Sequence, residues 1–331
     1  MNIKEADVKM LSQNPKIDRR LKSHKTIILC PTFSCNCRCW YCYEDHRAVA
    51  MSDVTVESIE RYIQQQAALC YDWLWLDFFG GEPLLFLDDI IRLADSARQS
   101  CISHGVRFMS GMTTNGVLLN KDTWPMLEEA GIKHLQITLD GAPDFHNAQR
   151  PLASGKETWS SIWNGLMCLK NSESEFQCII RIHYQVSRLH EAIQLVEKYI
   201  NPTFSKDRRF SINFHELVAL GGPNDAYIEQ KSLLDKSDAL QRLKESLEHP
   251  DMIVPIDTEN YICYASDPNS IVISPDGSLS KCTVTFDKVG ELKSDGKADI
   301  NLEKISRWSN SALGEDGMQP KCPNVLLKKS L

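Results

Sequence analysis

Five cysteines, Cys30, Cys35, Cys37, Cys39 and Cys42, fall within 13 residues of a chain that has twelve. Thiols this close either bind a soft metal or pair as disulfides, and the redox compartment decides which. Residues Met1 to Arg20 are charged throughout and contain no apolar signal-peptide core, so a cytoplasmic location is expected and the cluster reads as a metal site. Within it, Cys35, Cys39 and Cys42 form C-x3-C-x2-C. Three thiolates can hold three irons of a [4Fe–4S] cube, leaving the fourth iron free to chelate an amine and a carboxylate. They could equally hold zinc with a fourth ligand such as His46. Cys37 is the spare. Cys30, Cys70, Cys101, Cys168 and Cys178 are scattered on apolar faces and read as packing.

A loop carrying such a cluster needs elements to hold it. From Lys25 to Leu217 short β-rich runs (26–33, 73–81, 106–116, 134–141, 178–186 and 210–217) alternate with helical patterns at 53–70, 87–104, 121–130, 157–170 and 189–199. Ser52 or Asp53 can cap the first helix. Six strands at about 32-residue spacing fit βαβ units with a parallel sheet. Many strands look apolar on both faces, as helix-covered parallel strands do. Ligands then gather at the C-terminal ends of the strands, where the cysteine loop lies. Segment 218–260 opens with Gly221-Gly222-Pro223-Asn224 and reads as a linker with one helix. Ser270 to Cys282 reads as a β-hairpin turning at Pro275-Asp276-Gly277, and the tail beyond 290 as turn-rich.

Cys35-Asn36-x-x-Cys39-x-Tyr41-Cys42 after a first strand resembles the radical S-adenosylmethionine (SAM) superfamily, in its SPASM/twitch branch. Further motifs follow at strand ends: Gly80-Gly81-Glu82-Pro83, Thr113-Thr114-Asn115-Gly116, and Thr138-Leu139-Asp140-Gly141 continuing to His146-Asn147-x-x-Arg150. The resemblance covers about residues 25–217. It implies a partial (β/α)6 TIM-like barrel of α/β class over 25–217, after an N-terminal segment 1–24. Beyond the linker it implies a small α+β SPASM/twitch-like domain over 261–331. It also implies that Cys35, Cys39 and Cys42 ligate a [4Fe–4S] cluster whose open iron binds SAM. Tyr41, Gly80, Gly81, Glu82, Thr114, Asn115, Thr138, Asp140 and Arg181 would lie around SAM. Physical chemistry agrees at one point: glycines allow close backbone approach, and a carboxylate pairs with an ammonium.

Cys263 and the run Gly277 to Cys282 match the opening of a SPASM cysteine pattern, and Cys322 begins its second part, but Val325 stands where a cysteine is expected. Cys263, Cys282 and Cys322, with an open or borrowed fourth ligand, could therefore carry one auxiliary [4Fe–4S] cluster, not two; a truncated or degenerate domain with no cluster is the alternative. Sulfatase maturases are expected to place an aspartate directly after the G-x4-C cysteine; here that residue is Thr283, which disfavours that activity. Asp140, His146, Arg150, His215 and Glu216 remain acid–base or catalytic candidates.

The activity implied is reductive cleavage of SAM to a 5′-deoxyadenosyl radical that takes hydrogen from a substrate, with an electron from a flavodoxin- or ferredoxin-type reductant. A ribosomally made peptide is the first substrate expected, and a small molecule the second. A non-enzymatic metal module comes third, since it has no use for Gly80-Gly81-Glu82. Only 34 residues precede Cys35, so a leader-binding partner protein or the C-terminal region would have to recognise a leader. The chain has 331 residues, 42% of them hydrophobic, which excludes wholesale disorder. Its net charge of −7 argues against broad nucleic-acid binding, and no apolar run is long enough for a membrane span.

Overall fold

The computed structural model describes residues 23–69, 71–254 and 263–310. Cys70, Cys322 and the first 22 residues lie outside them. In chain order the elements are β1 (His24–Leu29), α1 (Asp53–Ala67), β2 (Trp73–Phe78), α2 (Leu87–Ser103), β3 (Arg107–Thr114) and α3 (Thr123–Glu129). Then come β4 (Ile132–Leu139), α4 (Pro143–Gln149), α5 (Trp159–Asn171), β5 (Gln177–Tyr184), α6 (Leu189–Leu195), α7 (Asn201–Phe204) and β6 (Phe210–Glu216). The rest are α8 (Leu233–Glu245), β7 (Ser270–Ile273), β8 (Ser278–Ser280), β9 (Lys288–Leu292), β10 (Ala298–Ile300) and α9 (Leu302–Asn310). This is the expected mixed α/β class with a parallel sheet. Among the described residues no helix is long and apolar enough to cross a membrane.

The chain forms two compact units. One contains Met1–Phe33, Ala48–Gly111 and Ile256–Leu331; the other contains Ser34–Arg47 and Met112–Pro255. In the first, β1 pairs in parallel with β2 and with β7, and β7 to β10 continue as antiparallel neighbours. Ile27, Leu29, Leu74 and Leu76 of the strands are fully buried, as are Ile59 and Ile63 of α1 and Ile90 and Leu93 of α2. Such burial stabilises each side chain by about 1.5–3 kcal/mol and fixes the strand register. Ser52 caps α1 as expected, its hydroxyl accepting from the Thr55 amide at 3.2 Å. The hairpin turns where expected, with Gly277 at φ +80°. Within the tail read as turn-rich, the described residues up to 310 form β10 and α9, and Ile305 and Trp308 of α9 are buried.

In the second unit β4, β5 and β6 are parallel neighbours. One face buries Leu135, Ile137, Ile180, Ile182 and Ile212 with Ile162 and Leu166 of α5 and Leu195 of α6. The other face is polar. Thr138 of β4 is in register with Arg181 of β5, and Arg181 with Asn213 of β6; His183 is in register with His215. The expectation of strands apolar on both faces fails for β5 and β6. Their alternation at Arg181-Ile182-His183 and Asn213-Phe214-His215 presents a row of polar groups on one side. Helix α4, absent from the sequence reading, begins at Pro143, where proline suits the first helical turn.

Candidate radical-cofactor site

The cysteine loop, Ser34–Arg47, belongs to the second unit and is held along its length by that unit's own backbone. Arg38 N–H donates to Pro151 O at 2.8 Å, Ala153 N–H to Asn36 O at 2.7 Å, and Trp40 N–H to Gln149 O at 3.3 Å. Cys37 bridges antiparallel to Leu152. The stretch from His146 to Ala153 thus acts as a template for the loop. On another side lies the Gly-Gly-Pro-Asn turn. Asn224 Nδ2 donates to Trp40 O, and a Cβ at Gly222 would stand 2.7 Å from Cys42 O and 2.8 Å from Tyr43 Cα. Read from sequence, this turn was part of a linker; in the fold it packs against the loop, and only its glycine allows the approach.

Tyr41 is the loop's anchor. Its hydroxyl donates to Asp140 Oδ2 at 2.6 Å and accepts from Arg150 Nη1 at 2.6 Å, with His183 Nδ1 at 3.0 Å. Asp140 Oδ1 accepts no hydrogen bond; it lies 3.3 Å from His183 Nδ1 and 3.9 Å from Arg150 Nη1. Burial pushes the Asp140 carboxyl up, but the charge of Arg150 and the His183 contact outweigh it and hold it at about 2. His146 is fully buried: its Nδ1 accepts from the Asp140 amide at 3.3 Å, which leaves Nε2–H to face Thr158 Oγ1 at 3.2 Å. Burial and the Arg150 charge lower its pKa to about 3, so it is a neutral strut. Asp140, Arg150 and His146, candidates for catalysis on sequence, here hold Tyr41 and one another.

Around the thiols, Cys37 N–H approaches Cys35 Sγ at 3.4 Å, Asn115 Nδ2 lies 3.7 Å from the same sulfur, and Cys42 N–H donates to Cys39 O at 3.1 Å. Hydrogen bonding from Cys37 lowers the Cys35 thiol to about 6, while burial pushes Cys39 up to about 11 and Cys42 up to about 12. Among the described residues no three His, Cys, Asp or Glu side chains already converge at metal-binding distance. The donor chemistry nevertheless fits an iron–sulfur cluster: three free, half-buried thiols in one short loop.

Thr114 and Asn115 follow β3. Thr114 Oγ1 accepts from Gly116 N–H at 3.0 Å, and Asn115 Nδ2 donates to Asn36 Oδ1 at 2.7 Å, tying that turn to the cysteine loop. Thr138 is buried on the polar face, in register with Arg181. Arg181 Nε and His215 Nδ1 are buried and have no hydrogen-bond partner among the described residues. Glu216 pairs with Lys236 at 3.0 Å. In the first unit, Gly80 has φ +106°, and a Cβ there would meet Thr32 O at 2.5 Å. Gly81 N–H donates to Thr32 O at 3.0 Å, and buried Glu82 accepts from Leu84 N–H at 3.0 Å. Also in that unit, Tyr264, between half-buried Cys263 and buried Cys282 in sequence, shares its hydroxyl with Thr283 Oγ1 at 2.7 Å. Cys30, Cys101 and Cys178 are buried and Cys168 half-buried, in keeping with packing roles.

Residues 29–185 match the radical SAM superfamily. The serine-type anaerobic sulfatase-maturating enzyme of Klebsiella aerogenes is 30% identical over 166 residues, 48% of this chain and 40% of that protein. The GTP 3′,8-cyclase of Rhodopirellula baltica is 34% identical over 141 residues, 41% of this chain and 37% of that one. The chain thus matches about two fifths of the length of each. Among solved structures, anSMEcpe with bound AdoMet and a peptide has a TM-score of 0.65 at 18% identity, covering 86% of this chain and 84% of that one. Streptococcus suis SuiB bound to its precursor peptide SuiA has a TM-score of 0.56 at 14% identity, covering 88% and 67%. These two share the fold.

Proposed function

We propose, from the match of residues 29–185 to the radical SAM superfamily, that this chain is a radical SAM enzyme of the SPASM/twitch branch that modifies a peptide. The observation that carries the reading is the Cys35–Cys39–Cys42 loop, anchored through Tyr41 to Asp140 and Arg150. Cys35, Cys39 and Cys42 would hold a [4Fe–4S] cluster, with Tyr41, Gly80, Gly81, Glu82, Thr114, Asn115, Thr138, Asp140 and Arg181 around SAM. When bound, that pair supplies one-electron cleavage of SAM and a carbon radical able to take a hydrogen atom from substrate.

The chain's own residues do the positioning. Arg150 and Asp140 fix the Tyr41 hydroxyl between a donor and an acceptor, so the loop keeps one conformation while its thiols ligate. Glu82 offers a carboxylate suited to an ammonium. Arg181, with a buried unpartnered Nε, offers a cation suited to a carboxylate or ribose oxygen. Cys263, Cys282 and Cys322 are assigned to one auxiliary cluster, and the electron to a flavodoxin- or ferredoxin-type donor.

A peptide substrate draws support from the sulfatase-maturating relatives and from the peptide-bound neighbours of like fold. Thr283, its hydroxyl engaged with Tyr264, supplies no carboxylate after Cys282, so a modification other than sulfatase maturation is favoured. The 34% match to a GTP cyclase favours a small-molecule substrate as the second reading. Anaerobic reconstitution followed by reduction tests the cofactor assignment. Wild type should bind iron and sulfide and release 5′-deoxyadenosine and methionine from SAM, and Cys39→Ala should do neither. Zinc in place of iron, or an active Cys39→Ala, would sink the assignment.

A further inference from the structure

Beside the cysteine loop, within the second unit, lies a cleft of about 450 Å3 lined by Trp40, Phe145, Ala148, Gln149, Gln185 and Arg188. A water-sized space of about 10 Å3 shares Phe145, Gln149, Gln185 and Arg188 and reaches Asp140 and His183. Trp40 adjoins Cys39 in sequence, so whatever fills the cleft lies next to the cluster loop.

Its chemistry is selective. Trp40 and Phe145 are apolar walls. Trp40 Nε1–H donates to Gln149 Oε1, which occupies the Gln149 acceptor and leaves its amide NH2 as the available group. Arg188 is the one charged residue of the lining; it is exposed, and its guanidinium stands 5.9 Å from the centre of the Phe145 ring. Among the described residues it makes no ion pair; in the adjoining space Asp140 faces Arg150 and His183, and Glu191 lies 3.2 Å from exposed His190. A cation held over an aromatic ring beside an amide donor matches an anionic group on an aliphatic stem. The turn bearing Arg188 is itself tied down: Ser187 N–H donates to Glu229 Oε2 at 3.0 Å.

We propose that this cleft is a specificity site for an acidic side chain of the peptide substrate, its methylenes against Phe145 and Trp40 and its carboxylate on Arg188 and Gln149. The inference rests on the peptide reading above.

The test uses reconstituted, SAM-loaded enzyme and calorimetric titration with three probes: acetyl-Ala-Leu-Glu-Leu-Ala-amide, the same peptide with Gln for Glu, and the Gln peptide with a free C-terminal carboxylate. Wild type should bind the Glu peptide roughly fivefold more tightly than the Gln amide, the size of an exposed ion pair. Arg188→Gln should erase that difference, whereas Arg208→Gln, at an exposed arginine on the loop before β6, should keep it. Phe145→Leu should weaken the Glu peptide without erasing the preference. Equal binding of the two amides, no binding of either, or a preference surviving Arg188→Gln would overturn the proposal. Tighter binding of the free-acid Gln peptide would overturn the side-chain assignment in favour of a terminal carboxylate. SAM cleavage measured on the same wild-type preparation separates the two levels: its absence counts against the radical reading, whereas lost Glu discrimination with cleavage intact counts against the cleft alone.

Discussion

The Tyr41 hydroxyl sits 2.6 Å from Asp140 Oδ2, a bond that joins the loop of the three thiols to the end of β4. Asp140 is buried and stays ionised because Arg150 and His183 face it. Asp140→Asn leaves Arg150 as an uncompensated buried charge and should cost about 3 kcal/mol in urea unfolding. Asp140 titrates at about 2 in the folded chain, below the carboxylate of an unfolded chain, so its contribution is complete above about pH 4 and is lost as pH falls toward 2. The stability gap between wild type and Asp140→Asn should therefore be constant from pH 7 to 5 and close in acid. A gap absent at pH 7, or undiminished near pH 2, would contradict this.

Gly222 gives a second handle on the same loop. A methyl group there would overlap Cys42 O and Tyr43 Cα, so Gly222→Ala must push the loop away. It should cost about 1–3 kcal/mol and lower the iron bound per chain after reconstitution. Gly221→Ala is the control: that residue has φ +104° but open space around its Cα. It should cost about 1 kcal/mol through backbone strain alone and leave iron content intact. Equal iron content in the two variants would remove the positioning role given to Gly222.

The cysteine spacing and the periodicity are legible in the sequence, but not the scaffold between them. C-x3-C-x2-C and the glycine motifs are local, so their spacing can be read directly, and all six parallel strands were placed to within a few residues. The Gly222–Cys42 approach and the Asn224 bond to Trp40 join positions about 180 residues apart, and nothing in either segment alone announces the pairing. Arg150 and His146 were seen as a motif, yet their role as a cage for Tyr41 depends on how α4 turns back over the loop. The polar face of β5 and β6 is legible in the alternation of Arg181, His183, Asn213 and His215, and these two strands depart from the general reading of many strands as apolar, or nearly so, on both faces.

His215 carries a different expectation. Burial, then the charges of Arg181 and His183, lower its pKa to about 3, so it is neutral in the folded chain. An unfolded chain takes up this proton near pH 6.5, so stability should fall as pH drops below that value. Its Nδ1 is also buried, with no partner among the described residues. His215→Leu should raise stability at pH 7 by about 1 kcal/mol and flatten the decline between pH 6.5 and 4. Nuclear magnetic resonance of the ring in wild type should show no titration between pH 5 and 8. A midpoint in that interval would mean the ring meets solvent or a carboxylate.

Glu82 joins two roles that one pair of variants can separate. Its side chain is buried, and Oε1 accepts the Leu84 amide at the start of the short turn after Gly81. That bond needs an oxygen but no charge, whereas an ammonium partner needs the charge. Glu82→Gln keeps that acceptor and should weaken SAM binding about tenfold, measured by equilibrium dialysis on reconstituted protein. Glu82→Ala loses both and should also lose about 1 kcal/mol of stability, the scale of a missing cap. If Glu82→Gln binds SAM as wild type does, the carboxylate is structural, and the ammonium of SAM must be met by another group.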